Sequence, residues 1–249
     1  MIKFFRKIRQ NSIEENEFSN YLKYAIGEIV LVVIGILIAL SISNWNDYQK
    51  DRAMEKVLLE SLLKDLEKDQ SILVRASANN RYSLKIMDTM FYKISANSNY
   101  NMIDFIRHNA GFLYFNQFLI SKGTYVENLS SGKFSLLLTD TLKTEILDYY
   151  EIAVQSLGAD KIIVPLMKDL SANFKEMLGG TQEYAMAIGV KTNFPHIDIK
   201  DISNNPKYHR ILTGKYTVLR AQIRDWKRFM NTNKHLRKSI QQELDARFK

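Results

Sequence analysis

One stretch of the chain is far more apolar than the rest. Residues 24–43 read YAIGEIVLVVIGILIALSIS, in which twelve side chains are Leu, Ile or Val and Glu28 is the single charge. Twenty helical residues, at about 1.5 Å each, span about 30 Å, the thickness of the hydrocarbon core of a bilayer. Tyr24 and Trp45 stand at the two ends, where amphipathic rings prefer the membrane interface. The pattern predicts a transmembrane helix over residues 24–43.

Two other interpretations of this segment stay open. It could be the core helix of a globular domain, although the uninterrupted apolar run Ile29–Leu40 has no polar face and suits lipid better. It could also be a signal peptide cleaved after Ser41 or Ser43. The 23 residues ahead of it contain three glutamates and are long for the first region of such a signal.

Lysine and arginine in the flanks predict the orientation of the span. Five of them precede it and three follow it closely, and the more basic side of a span stays in the cytoplasm. Residues 1–23 are therefore expected in the cytoplasm and residues 44–249 outside it. In a bacterium with two membranes, this means an inner (plasma) membrane protein with a periplasmic C-terminal domain. The lipid bilayer is the first expected partner.

Small residues line one face of the predicted span. Gly27, Gly35 and Ala39 are separated by multiples of four residues, which places them on the same side of a helix. Small side chains let two helices approach closely in lipid. This face is a candidate for helix packing in the membrane, against a second copy or against another membrane protein.

Beyond the span, apolar residues recur with helical spacing. One stretch continues from the span to Leu73, and a second lies around Leu84. A third begins at Asp140 and ends at Gly158, and another precedes Gly179. The last is the longest, with apolar positions stepping mostly by three and four: Leu212, Tyr216, Leu219, Ile223, Trp226, Met230, Leu236, Ile240 and Leu244. Such a stripe is typical of a bundle or coiled-coil seam.

Capping and turn signals divide these stretches. Thr124 with Glu127 matches a capping box, which predicts a helix start. Gly132 fits a left-handed helix end, and Asn205 with Pro206 predicts an N-cap followed by proline at the first helical position. Residues 196–202 (HIDIKDI) alternate and predict a short extended piece.

Composition narrows the fold class. The chain has 3 Pro and 10 Gly in 249 residues, too few breakers for an all-β protein. It has no cysteine, which excludes disulfides and thiolate metal sites. The aromatic run at 111–120 is ambiguous in secondary structure, and we interpret it as core. The prediction is an all-α protein, with a single N-terminal transmembrane helix followed by an up-and-down helical bundle with long helices.

Charge is concentrated at the C-terminus. Residues 207–249 hold 12 Lys or Arg and 3 Asp or Glu, a net charge of +9, whereas the whole chain is +8 and residues 1–206 sum to −1. A basic helix outside the cytoplasm fits lipid headgroups or envelope polyanions, and no nucleic acid is expected as a partner. A merely solvated face is the alternative. The candidate contacts with an anionic surface are Arg220, Arg224, Lys227, Arg228, Arg237 and Lys238.

Two segments resemble a known family. The opening MIKFFRKIR, followed by YAIGEIVLVVIGILIALSISNWN, resembles the start of a family of uncharacterised bacterial membrane proteins, domain of unknown function 6090. A looser resemblance lies at Thr124–Tyr150, where TYVENLSSGKFSLL precedes LKTEILDYY. The resemblance implies a single-pass anchor with a mostly helical extracytoplasmic part. It implies no activity and no catalytic residue.

Motifs that carry chemistry are missing from the sequence. The four histidines have no metal-ligand spacing. Ser130 and Lys133 match the SxxK of penicillin-recognising enzymes, but Asn193 stands where the partner motif KTG needs glycine. We therefore expect no catalytic residue, metal ligand or cofactor. The leading hypothesis is a non-enzymatic, membrane-anchored helical module that binds an envelope partner and could self-associate. The alternatives are an envelope enzyme with an unrecognised site and, with reversed topology, a nucleic-acid binder.

Overall fold

The computed structural model of the chain describes residues 18–96, 101–110 and 115–248, and every regular element within these ranges is helical. The elements are α1 (Phe18–Ser95), α2 (Met102–Ala110), α3 (Gly123–Ser130), a 3₁₀ helix (Lys133–Leu136), α4 (Asp140–Leu178), α5 (Gln182–Ala187), α6 (Ile199–Ser203) and α7 (Pro206–Arg247). The predicted all-α class is confirmed. The chain divides into two compact units, Met1–Glu55 and Lys56–Lys249.

The first unit contains the predicted span. Every residue from 26 to 50 is exposed, and this part of α1 is long and apolar enough to cross a membrane. A core helix would bury such a segment against other helices, so its exposure argues against the core-helix interpretation. The signal-peptide interpretation and the predicted boundaries of the segments 1–23, 24–43 and 44–249 stay predictions.

Three long helices build the second unit: α1 from Lys56 onward, α4 and α7. Helix α7 runs antiparallel to α1, as shown by three contacting pairs: Leu66 with Asn233, Asn80 with Gln222, and Asp88 with Tyr216. Helix α7 is also antiparallel to α4. The Thr139 hydroxyl donates to Glu243 at 2.7 Å at one end, and the Lys207 ammonium donates to Glu176 at 2.9 Å at the other.

The topology differs from the predicted up-and-down arrangement. Because both α1 and α4 are antiparallel to α7, they are parallel to each other. The chain between Ser95 and Asp140 therefore returns to the end of the bundle where Lys56 lies. This return contains α2, α3 and the 3₁₀ helix, short elements that repetitive helical spacing does not reveal.

The core of the second unit consists of two apolar clusters. The cluster nearer Lys56 joins α1, α4 and α7 with the return segment, through side chains that include Leu59, Leu62, Leu66, Leu73, Phe118, Phe134, Ile146, Tyr149, Trp226 and Ile240. The far cluster includes Met90, Phe105, Phe174, Ile202, Tyr208, Ile211 and Leu212. Each fully buried large apolar side chain stabilises the fold by about 1.5–3 kcal/mol, so the apolar stripes hold the bundle together.

Two predicted interruptions of long helices are wrong. The stretches around Leu73 and Leu84 belong to one helix, because Arg75–Ser83 contains no Gly or Pro. Helix α4 does not end at Gly158 but continues through Pro165 to Leu178. Glycine and proline cost a helix about 1 and 3 kcal/mol. Burial of three later apolar side chains of α4 offsets this cost: Met167, Phe174 and Leu178.

Two predicted helix boundaries are confirmed. The Asn205 side chain accepts a hydrogen bond of 2.8 Å from the Lys207 amide, and Pro206 is the first residue of α7. Gly132 follows α3 with φ of 72°, a left-handed conformation that glycine adopts without strain. Local sequence therefore determines where these two helices begin and end.

Two other local predictions are wrong. Thr124 is not an N-cap, since α3 already begins at Gly123 and its N-cap residue makes no side-chain capping bond. Residues 196–202 are not an extended piece throughout. The Asp198 carboxylate accepts a 2.8 Å hydrogen bond from the Lys200 amide and caps α6, whose Ile202 is buried.

The aromatic run is described only in part, since residues 111–114 lie outside the described ranges. Residues 115–120 form no regular element. Phe118 is buried, with its ring centroid 5.5 Å from that of Phe229 on α7. The core interpretation is confirmed for this residue.

Candidate functional site

Helix α7 presents opposite faces to the core and to solvent. Its buried positions follow a spacing of three and four residues and include Leu212, Leu219, Trp226, Leu236 and Ile240, while Ile223 and Met230 are partly buried. Trp226 is buried, as predicted. The other side of the helix faces solvent and carries charged residues.

Six cations form what we call the cationic face: Arg220, Arg224, Lys227, Arg228, Lys234 and Lys238. All six are exposed. Their spacings of three, four and seven residues, and sums of these, place them on one side of α7. From the first to the last, the face extends along eighteen helical steps, about 27 Å.

Little negative charge within α7 opposes this face. Between Arg220 and Lys238 the sequence has one acid, Asp225, whose carboxylate lies 3.0 Å from the Arg224 Nε. Arg220 lies over the ring of Tyr216, 5.9 Å from its centroid. Within the described ranges, the other four cations pair with no carboxylate. The face therefore carries a positive potential that attracts anions.

The cationic face differs from the predicted set at two positions. Arg237 does not belong to it, because it is partly buried and donates at 3.0 Å to Glu67 on α1. Lys234 belongs to it but was not predicted. The signal was present in the sequence, since Lys234 lies seven residues after Lys227 and four before Lys238.

The cationic face has no apolar component. Among the described residues of α7, no large hydrophobic side chain is exposed. A surface that inserts into lipid combines cations with exposed Leu, Phe or Trp. This face instead suits a purely electrostatic contact, which is sensitive to salt.

A polar layer crosses the bundle within the cluster nearer Lys56. The Asp69 carboxylate on α1 accepts a 2.9 Å hydrogen bond from the Ser121 amide and a longer one, 3.5 Å, from the Tyr149 hydroxyl. The Asn233 amide donates at 3.0 Å to that same hydroxyl. Burial raises the pKa of Asp69, although the hydrogen bonds from Ser121 and Tyr149 oppose the shift. The layer holds the return segment against α1.

A second polar layer lies farther from Lys56 and is made of amides. Asn80 donates to the Gln222 carbonyl at 3.0 Å and accepts from the Asn116 side chain at 2.8 Å. Gln222 in turn donates to the Asn116 backbone at 3.0 Å. Buried polar pairs that satisfy one another favour one register of packed helices. Both layers are structural in character.

Lys215 is a cation of α7 that does not reach the cationic face. Its side chain points into the core and is 2% exposed. Burial lowers its pKa to about 7. The sequence contained a sign of this, because Lys215 stands between Leu212 and Leu219 at the spacing of the core stripe.

The small-residue face of α1 has no neighbour within the described part of the chain. A Cβ atom added to Gly27 or Gly35 would meet nothing within 4 Å. Ala39 is exposed like the residues around it. Their role in helix packing in the membrane stays a prediction.

The residues considered for metal or nucleophilic chemistry lie apart. His108 is in α2, His196 follows α5, and His209 and His235 are in α7. Among the described residues, no three side chains of His, Cys, Asp or Glu form a group that could hold a metal ion. The Ser130 hydroxyl donates to carbonyls of its own helix, at 2.7 and 3.1 Å. The expectation of no enzymatic activity stays a prediction.

The fold and its surfaces define an all-α protein with an exposed cationic helix face and, among the residues that the structure describes, one candidate membrane span. The chain belongs to the DUF6090 family, a family of unknown function whose model matches residues 28–160. This match confirms the resemblance seen in the sequence, and it ends before α7. No curated protein and no solved structure matches the chain.

Proposed function

We propose that this protein is a single-pass membrane protein whose helical domain lies outside the cytoplasm and binds an envelope partner without catalysis. In a bacterium with two membranes, the domain would lie in the periplasm. The observation that carries the proposal is the apolar segment of α1, in which every residue from 26 to 42 is exposed. Such a segment is stable in lipid and would be costly in water.

The cationic face supports partner binding. It is an exposed single-sign surface about 27 Å long, and the core of the bundle does not require it, because exposed charges contribute little to stability. A partner with complementary negative charge would meet all six side chains at once.

The segment 186–194, a loop that begins in the last turn of α5, supports the same proposal. Four large apolar side chains within nine residues are each exposed by about half: Met186, Ile188, Val190 and Phe194. The loop is held by hydrogen bonds from the Val190 amide to the Ala185 carbonyl at 2.9 Å and from the Gln182 amide to the Pro195 carbonyl at 3.0 Å. Clustered exposed apolar side chains are typical of contact surfaces.

The topology can be tested with single cysteines, since the natural chain has none. Asn231→Cys, exposed on α7, should react with a membrane-impermeant maleimide in spheroplasts. Ser12→Cys, ahead of the span, should react only after the membrane is permeabilised. Both variants should stay in the membrane through alkaline extraction, because the span is retained.

Two outcomes would contradict the proposal. Labelling of Ser12→Cys but not of Asn231→Cys in intact spheroplasts would place the domain in the cytoplasm. A mature chain shortened by about 41–43 residues would show that the apolar segment is a cleaved signal peptide. The cysteine-free parent chain is the control for background labelling.

A further inference from the structure

We propose that the cationic face of α7 binds a linear, negatively charged polysaccharide of the cell envelope along the helix. The inference rests on the proposed function, because it takes the helical domain to lie outside the cytoplasm. It deepens that function by naming the class of partner: a sugar chain whose anionic groups recur along its length.

The central part of the cationic face is a row of exposed side chains parallel to the helix axis. Steps of four and three residues alternate along this row, and at about 100° per residue its positions fall within about 80° of arc. Successive positions lie about 4.5–6 Å apart along the axis. The cationic row consists of Arg220, Arg224, Lys227, Asn231, Lys234 and Lys238, all exposed. A narrow row of repeating cations matches a chain whose negative charges also repeat.

Acids of the neighbouring helices lie against residues outside the cationic row. The Arg237 guanidinium donates to Glu67 on α1 at 3.0 Å, and the Glu145 carboxylate on α4 lies 3.7 Å from the His235 Nδ1. Within the described ranges, no carboxylate pairs with the three lysines of the row, Lys227, Lys234 and Lys238. Their charges are therefore available to a ligand.

The polarity of α7 selects the class of polyanion. No large hydrophobic side chain is exposed among the described residues of this helix. A protein partner needs an apolar interface core, and a coiled-coil partner needs apolar side chains at the same spacing of three and four. Single-stranded nucleic acid stacks its bases on exposed aromatic rings. The row offers a ligand only charge, and an anionic polysaccharide can be held through its charges alone.

The experiment uses the full chain in phosphatidylcholine nanodiscs. The probe is fluorescein-labelled polygalacturonate, a linear polysaccharide with one carboxylate on each sugar, and its binding is followed by fluorescence anisotropy. We expect saturable binding that weakens steeply as salt rises, because a polyanion releases its counterions when it meets protein cations. Neutral dextran of equal length should not bind.

Charge-removing variants identify the surface responsible. A fourfold variant neutralises the row: Arg220→Gln, Lys227→Gln, Lys234→Gln and Lys238→Gln. It should weaken polygalacturonate binding by about tenfold or more at low salt and flatten the salt dependence. A matched control removes the same charge from exposed lysines of α1 and α4: Lys64→Gln, Lys68→Gln, Lys168→Gln and Lys175→Gln. The control should bind as the natural chain does, and circular dichroism should show both variants folded.

A charge-adding variant tests the row from the other direction. Asn231 is its one neutral position, so Asn231→Lys completes the row and should strengthen binding by up to about fivefold. Asn79→Lys adds a cation at an exposed position of α1 and should leave binding unchanged.

Three results would overturn the inference: equal loss in the fourfold variant and its control, equal binding by Asn231→Lys and Asn79→Lys, or tighter binding of poly(dT) or polyglutamate than of polygalacturonate at equal charge concentration. The last would assign the row to nucleic acid or to an acidic protein. Failure of the proposed function is distinguishable from these, because cysteine labelling would then place the domain in the cytoplasm, whereas binding in solution does not depend on topology.

Discussion

Replacing Lys215 with methionine is expected to stabilise the helical domain at neutral pH by up to about 4 kcal/mol, because burial disfavours the ammonium form of this side chain and lowers its pKa. Lys215 is 2% exposed, and burial lowers its pKa to about 7 from the ordinary 10.5. Keeping its charge in the core at pH 7 is costly, and methionine fills similar volume without that cost.

The lowered pKa of Lys215 makes the unfolding free energy depend on pH. Between about pH 7 and 10.5 the unfolded chain binds a proton at Lys215 that the folded chain has released, so stability rises with pH in this window. The rise is up to about 4 kcal/mol for a shift of this size. Lys215→Met should lack this rise, and its advantage over the natural chain should shrink towards pH 10.5.

The unfolding free energies of Lys215→Met and of the natural chain are compared at several pH values. Circular dichroism detects the unfolding of the full chain in detergent. Lys227→Met on the exposed side of the same helix is the control and should change stability by less than about 0.5 kcal/mol. A destabilised Lys215→Met, with the same pH dependence as the natural chain, would show that the buried ammonium is well accommodated in the core.

Replacing Trp226 with alanine is expected to destabilise the domain by about 3–5 kcal/mol. Trp226 is 6% exposed and belongs to the cluster that joins α7 to α1 and α4. Truncation removes the indole from the core and leaves a cavity that rigid neighbours only partly fill. Against a domain stability of about 5–15 kcal/mol, this loss lowers the melting temperature sharply.

Thermal unfolding followed by circular dichroism measures the effect. Tyr82→Ala removes another aromatic side chain of the bundle, but one that is 68% exposed, so it should change stability by less than about 0.5 kcal/mol. Equal effects of the two substitutions would mean that Trp226 does not pack as described.

Features that depend on a few neighbouring residues were predictable. The start of α7 at Pro206 and the left-handed Gly132 follow from side-chain capping and backbone sterics. The stripe of α7 is predictable because a helix places every third and fourth residue on one side. The cationic face was predictable for the same reason, since the spacing includes Lys234, seven residues after Lys227, and places Arg237, seven residues after Met230, on the side of the core stripe.

Features that depend on packing were not predictable. Gly158 and Pro165 are helix breakers by propensity, yet α4 passes through both because its later turns bury apolar side chains. Arg237 lies on the side of the core stripe by its spacing, but no local rule gives its 3.0 Å contact with Glu67 on α1, 170 positions away in the sequence.

The sequence by itself determined the apolar segment at 24–43, the helical class and the excess of positive charge in α7, since hydropathy, few breakers and composition are properties of the chain alone. The spacing of Lys215 places it on the core stripe, but only the tertiary structure decided that the core buries a lysine there. Lys215 and Lys227 are the same residue type on the same helix, yet one is buried and the other exposed. The neighbouring helices, α1 and α4, cover one side of α7 and leave the other open, and this difference in solvation separates a core lysine from the exposed cations of the same helix.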